Sequence, residues 1–239
     1  MTRRAGLENK FFDRRFLAEK TNCDKPENSR TINIGTPMKK TLLPVALVVL
    51  YGLAGCLPTS INPLYTDKDL VFDPALVGVW SDKDDSKEFT WTFEKAGEKS
   101  YKFVYAETDG KAGRFDARLL KIGDARFLDF FPDESGIEEM NRSDFYKIHL
   151  VRTHSFLRVS QIEPTLQMNP LDLKWLREFL HKNPRAIRHE KVGDGDDAQI
   201  VLTASTRELQ KFVLAHLKTE GAFGEPINLK RQAASKSQK

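Results

Sequence analysis

The residues best equipped for chemistry in this chain are its histidines, its cysteines and several neighbouring carboxylates. A zinc site or a metal-dependent hydrolase needs two ligands on one helical face, as His-x-x-x-His or His-Glu-x-x-His supplies. His149, His154, His181, His189 and His216 show no such spacing. His216 falls on the apolar side of a predicted helix, where a partly buried, satisfied ring is the expected role. Asp194-Gly195-Asp196-Asp197 is similar to the opening of a calcium loop, but Ala198 and Ser205 stand where an oxygen ligand and the closing bidentate carboxylate are required. A solvated turn is expected there instead. The pairs Asp84-Asp85 and Glu138-Glu139 fall in predicted loops, where like charges are simply hydrated. Neither a Gly-x-Ser-x-Gly elbow nor a glycine loop for phosphate occurs in the sequence. We therefore expect a non-enzyme without a metal or a cofactor.

Cys56 is the more telling thiol. It follows Met38-Lys39-Lys40, an apolar run from Thr41 to Tyr51, and Gly52-Leu53-Ala54-Gly55, which ends in two small residues. A positive start, a greasy stretch and small residues at a cleavage point make up a secretory signal. The apolar segment Leu42–Ala54 is too short to span a bilayer, which takes about 20 residues as a helix. Leu53-Ala54-Gly55-Cys56 resembles the lipobox of bacterial lipoproteins. That resemblance implies a diacylglyceryl thioether on Cys56, cleavage before it, and palmitate or a similar acyl chain on the new amino terminus. Several chains would hold firmly, since each buried methylene contributes about 0.8 kcal/mol and a single myristoyl group binds only reversibly. Leu57, in place of the Asp that retains such proteins in the inner membrane, implies the outer membrane facing the periplasm in a Gram-negative cell. Residues 1–37 fit no export signal, and we expect them to be a mis-assigned upstream start, with 38–55 as the signal peptide.

Charge separates along the same boundary. Residues 1–55 hold 10 Lys and Arg against 5 Asp and Glu, whereas 56–239 hold 28 against 29. The exported part therefore has no basic excess with which to displace counterions from phosphates, and nucleic acid is not an expected partner. With Cys23 in the leader and Cys56 lipidated, no disulfide is left to brace the fold.

The elements that follow are mostly strands. Residues 56–75, spaced by Pro58, Pro63 and Pro74, read as a tether. From Leu76 the pattern turns to period two. Phe89, Trp91 and Phe93 alternate with polar residues, and Tyr101, Phe103 and Tyr105 do likewise, which puts one side of each strand in a core. Further strands are predicted at 113–122, 125–132, 145–152, 155–162 and about 198–204. Turns at Gly97-Glu98-Lys99, Asp109-Gly110 and Gly123-Asp124 make the connections short, so neighbouring strands run antiparallel. Strand 125–132 is apolar on both sides, and something, a helix for example, should cover its outer face. Amphipathic helices are predicted at 171–183, with Leu173, Leu176 and Leu180 on one side, and at 206–219 behind a Ser205/Glu208 capping box. Residues 221–239 read as a flexible tail. The fold class is mainly β (α+β): an antiparallel up-and-down β-barrel or strongly curved sheet with two helices in its C-terminal part, spanning 76–220.

Gly78-x-Trp80 on the first predicted strand, followed by the meander and a late helix, resembles the lipocalin plan. The resemblance implies an eight-stranded barrel with the tryptophan closing one end. The chain departs from that plan in its extra helix before the last strand and lacks the Thr-Asp-Tyr signature. Phe89, Trp91, Phe93, Tyr101, Phe103, Tyr105, Phe115, Phe127 and Phe131 share same-face spacing on consecutive strands. They either wall a pocket or fill the core. As pocket lining we single out Trp91, Phe93, Tyr101, Phe103, Tyr105 and Phe115. The expectation is an envelope lipoprotein that binds a small hydrophobic ligand or lipid; the alternative is a non-catalytic assembly protein that docks a protein partner on its helices.

Overall fold

The computed structural model describes residues 57–82, 89–195 and 198–233, all within one compact unit, Leu47–Lys239. The leader, the signal segment and Cys56 lie outside the described residues.

The chain enters through two short strands, β1 (Thr59–Ser60) and β2 (Leu70–Val71), with a single 3-10 turn at Asp67–Asp69 between them. This stretch is no tether. Leu64 is fully buried, its backbone N–H donates to Asp129 Oδ2 at 2.9 Å, and Asn62 Nδ2 donates to the Ala204 carbonyl at 2.9 Å. Prolines that looked like spacers punctuate a folded segment whose backbone groups all need partners.

A meander follows: β3 (Gly78–Ser81), β4 (Phe89–Gly97), β5 (Ser100–Glu107), β6 (Ala112–Ile122) and β7 (Ala125–Pro132), each antiparallel to the last. The β6–β7 turn is Gly123-Asp124, and Gly123 takes φ +59°, a left-handed value that suits glycine. Two short helices, α1 (Glu134–Glu138) and α2 (Asp144–Lys147), then precede β8 (Ser155–Gln161) and β9 (Thr165–Pro170). The strand expected at 145–152 is thus replaced by α2. Ser143 caps it by accepting from the Tyr146 N–H, and local capping there outweighs a weak period-two pattern with no neighbouring strand to pair.

Between β9 and the last strand lies a long excursion: α3 (Leu173–Lys182), β10 (His189–Val192), β11 (Gln199–Leu202) and α4 (Thr206–Ala215). Both predicted helices form, slightly shorter than expected. Asp172 caps α3, and the Ser205/Glu208 capping box starts α4. Strands β10 and β11 join β1 in a small three-stranded sheet, in which β1 and β11 run parallel.

The tail then returns as β12 (Ile227–Arg231), which pairs with β9 on one side and β3 on the other. This corrects the reading of 221–239 as a flexible tail and moves the domain boundary well past 220. Together with the β6–β7 pairing, β12 closes an eight-stranded antiparallel barrel, with β2 as an extra strand on β6. Its signal was faint because Leu229 alone in this short strand is fully buried.

Two cores result. Inside the barrel, Trp80, Trp91, Phe93, Tyr101, Phe103, Leu128 and Phe130 pack together. Outside, Leu120, Phe127 and Phe156 meet the apolar faces of α3 and α4, including Leu176, Leu180, Leu209, Phe212 and Val213. The cover expected over strand 125–132 is this helical excursion. Phe127 and Phe131 accordingly lie outside, and Phe130 with Leu128 takes the inner positions, because a strand apolar on both sides leaves its register to the neighbouring strands.

The Gly-x-Trp pair has a local reason. Gly78 adopts φ +144°, and a Cβ there would collide with the Arg231 guanidinium. That guanidinium lies 4.4 Å from the centre of the Trp80 ring and donates to the Val77 and Ala75 carbonyls. Trp80 Nε1 donates to the Leu76 carbonyl at 2.9 Å. The last strand is thereby fastened over the first.

Candidate functional site: an apolar cavity at one end of the barrel

The register stacks aromatic rings across strands: Trp91 lies opposite Tyr105, Phe93 opposite Phe103, and Phe103 opposite Phe115. Toward the end of the barrel where Trp80 sits, these rings fill the interior. Phe93 stacks on Phe103 with centroids 4.8 Å apart. The Tyr101 hydroxyl accepts from the Asp73 N–H at 2.7 Å, and Phe72 stacks on its ring at 5.0 Å. Burial pushes the Tyr101 hydroxyl up to about 12, so it stays a neutral hydrogen-bonding group.

At the other end the rings part around a cavity of about 190 Å³. Trp91, Phe103, Tyr105 and Phe115 line it, with Phe130 and Leu157 across from them and Glu107, Ser155, Leu57 and Ile227 also bordering it. Of the six predicted lining residues, four meet here, and Phe93 and Tyr101 instead belong to the filled end. Leu57 and Ile227 escaped the sequence reading because they come from the stretches taken for tether and tail. Phe130 was missed through the inverted register of its strand.

The walls are mainly apolar, with Tyr105, Glu107 and Ser155 as the polar residues at their border. Trp91 is 7% exposed, and its Nε1 has no hydrogen-bond partner among the described residues. An unmet buried donor costs roughly 1–3 kcal/mol. Tyr105 is held neutral by burial and, secondarily, by the nearby Glu107 carboxylate, both of which raise its pKa.

A second buried polar group lies on the outer face of β7. Asp129, 1% exposed, bonds through Oδ1 to His154 Nδ1 at 2.7 Å and through Oδ2 to the Leu64 N–H. The His154 ring stacks on Phe131 at 4.4 Å, and its backbone exchanges hydrogen bonds with Ser60. Both carboxylate oxygens are engaged in tying the entering segment to the barrel. Asp129 carried no sequence signal, since one acid amid phenylalanines reads as a solvent-facing position. His181 and His189 border a separate hollow beside α3. Among the described residues no three His, Cys, Asp or Glu side chains gather as a metal site, and no helix is long and apolar enough to cross a membrane.

What fold and site define together is a closed eight-stranded barrel, packed with aromatic rings at one end and hollow at the other. No family model, curated protein or solved structure matches the chain.

Proposed function

We propose that the protein is a lipid-anchored, lipocalin-like lipoprotein of the cell envelope. In this reading its barrel holds the end of an acyl chain, or a compact apolar molecule, bearing one hydrogen-bond acceptor. The observation that carries the reading is a mainly apolar cavity lined by Trp91, whose buried Nε1 has no hydrogen-bond partner among the described residues. Eight-stranded barrels either fill with side chains or hold one small ligand. At about 190 Å³ the hollow is larger than an apolar cavity of roughly 150 Å³ that admits benzene. An ester or carboxyl oxygen would meet the indole N–H, and each methylene withdrawn from water would contribute ~0.8 kcal/mol. The role is binding rather than catalysis, with the outer membrane facing the periplasm as the proposed site in a Gram-negative cell.

The alternative, docking of a protein partner through the outer surface and helices, is less favoured on the two long helices. Their apolar faces are spent on the barrel: Leu173, Leu176 and Leu180 of α3 and Leu209, Phe212 and Val213 of α4 are all buried.

The test is native mass spectrometry of the full chain, lifted from its host membrane with surrounding lipid. We expect an apolar molecule to be retained by the wild type and absent from Ile227→Trp, in which the indole fills the cavity beside β12. Wild-type protein without any bound molecule, or equal retention by the variant, overturns the reading. Labelled palmitate should enter the wild type and not Cys56→Ser; equal labelling removes the anchor.

A further inference from the structure

We infer that the hollow end of the barrel is the face this protein turns to a lipid bilayer, so that ligand passes between membrane and cavity without crossing water. The inference deepens the proposed function and rests on it for the lipid anchor at Cys56 and for the nature of the cargo. Two independent features meet at this end.

The first is the attachment point. Leu57 borders the cavity, and Cys56 is its covalent neighbour, with consecutive Cα atoms about 3.8 Å apart. The residues beyond Leu57 are folded against the barrel, with Leu64 and Leu76 fully buried. No slack chain therefore separates a lipidated Cys56 from the cavity.

The second is an exposed apolar arm. The connection carrying α1 and α2 leaves β7 just past Phe130 and rejoins the barrel at Ser155, and both residues line the cavity. On this arm Phe145 is 74% exposed, and Ile148 and Val151 are each 72% exposed, the highest values among the large apolar side chains described. Singly exposed apolar residues need no explanation, but three on one arm mark an interaction surface. The occupant is a membrane rather than an acidic or basic partner. Between Asp133 and His154 the arm carries Asp133, Glu134, Glu138, Glu139 and Asp144 against Arg142, Lys147 and Arg152, a mixture that leaves apolar insertion as the attraction. Among the described residues the opposite end offers no such surface, since its turns present Glu98-Lys99, Gly123-Asp124 and Glu163-Pro164.

The experiment places a fluorophore on Ile148→Cys or on Asp124→Cys, both exposed sites, in the full lipidated chain, where Cys56 is occupied by its thioether. The protein is reconstituted into phosphatidylcholine vesicles whose acyl chains carry bromine. Quenching at position 148 should exceed that at position 124 by about threefold or more, as expected for a segment seated at the boundary of headgroups and chains. Equal quenching at the two sites, or stronger quenching at 124, overturns the orientation; a protein covering 148 in place of lipid would give the equal result. The label reports only which end meets the bilayer. An empty cavity with 148 quenched ends the ligand reading and leaves the orientation standing, and a filled cavity with equal quenching does the reverse.

Discussion

His216 stands at the end of α4 among three rings, with centroids 5.0 Å from Trp175, 4.8 Å from Phe179 and 4.7 Å from Phe212. Its Nδ1 lies 3.2 Å from Thr219 Oγ1. Burial among these rings lowers its pKa from the ordinary 6.5. The unfolded chain therefore takes up the proton first as pH falls, and the folded state loses stability below about pH 6.5 until the partly buried ring is protonated too. His216→Phe should flatten this part of the stability curve between pH 7 and 5, as read by urea midpoints. An unchanged slope would show that the ring is hydrated in solution. The sequence placed His216 on an apolar helix face as a satisfied, partly buried histidine, and its intermediate exposure among aromatic rings agrees with that role. The unmet Trp91 donor was invisible at that level, because nothing in the alternation of residues 89–93 says which polar atom will lack a partner once the barrel closes.

At the scale of elements, the helical excursion between β9 and β12 exists to cover one side of the barrel. Phe127 lies at the centre of that contact, fully buried between the strands and the helices. Phe127→Ala should cost about 3–5 kcal/mol, the range for emptying a large aromatic from a packed core. Chemical denaturation checks this, and a loss below about 1 kcal/mol would mean that the helices dock loosely. The long alternating strands β4 to β7 and the capped helices α3 and α4 were legible, since each repeats its period over several residues or carries an end signal. The short strands β9, β10 and β12 were not legible, and neither was the helical character of residues 144–147. Four to six residues hold too little periodicity to outweigh flanking prolines and charges.

At the scale of the whole molecule, closure depends on β12. Truncation before Ile227 would strip the partner from both β3 and β9, leaving two open strand edges, and would remove Arg231 from over Trp80. Open edges template pairing with other chains. The truncated protein should lose its cooperative unfolding transition and elute as aggregate on gel filtration, and a monomer with a sharp transition would contradict this. The same closure turns nine aromatic residues read as one face into two populations, seven inside the barrel and two outside it, Phe127 beneath the helices and Phe131 against His154. Local order was readable from residues alone because strand alternation, turn glycines and helix caps act over a few positions. The fate of 57–75 and of 227–231, the side to which Phe127 and Phe130 point, and the cavity itself emerged from pairing between distant segments. A barrel joins its last strand to its first, and the free energy of that contact is written in neither strand separately.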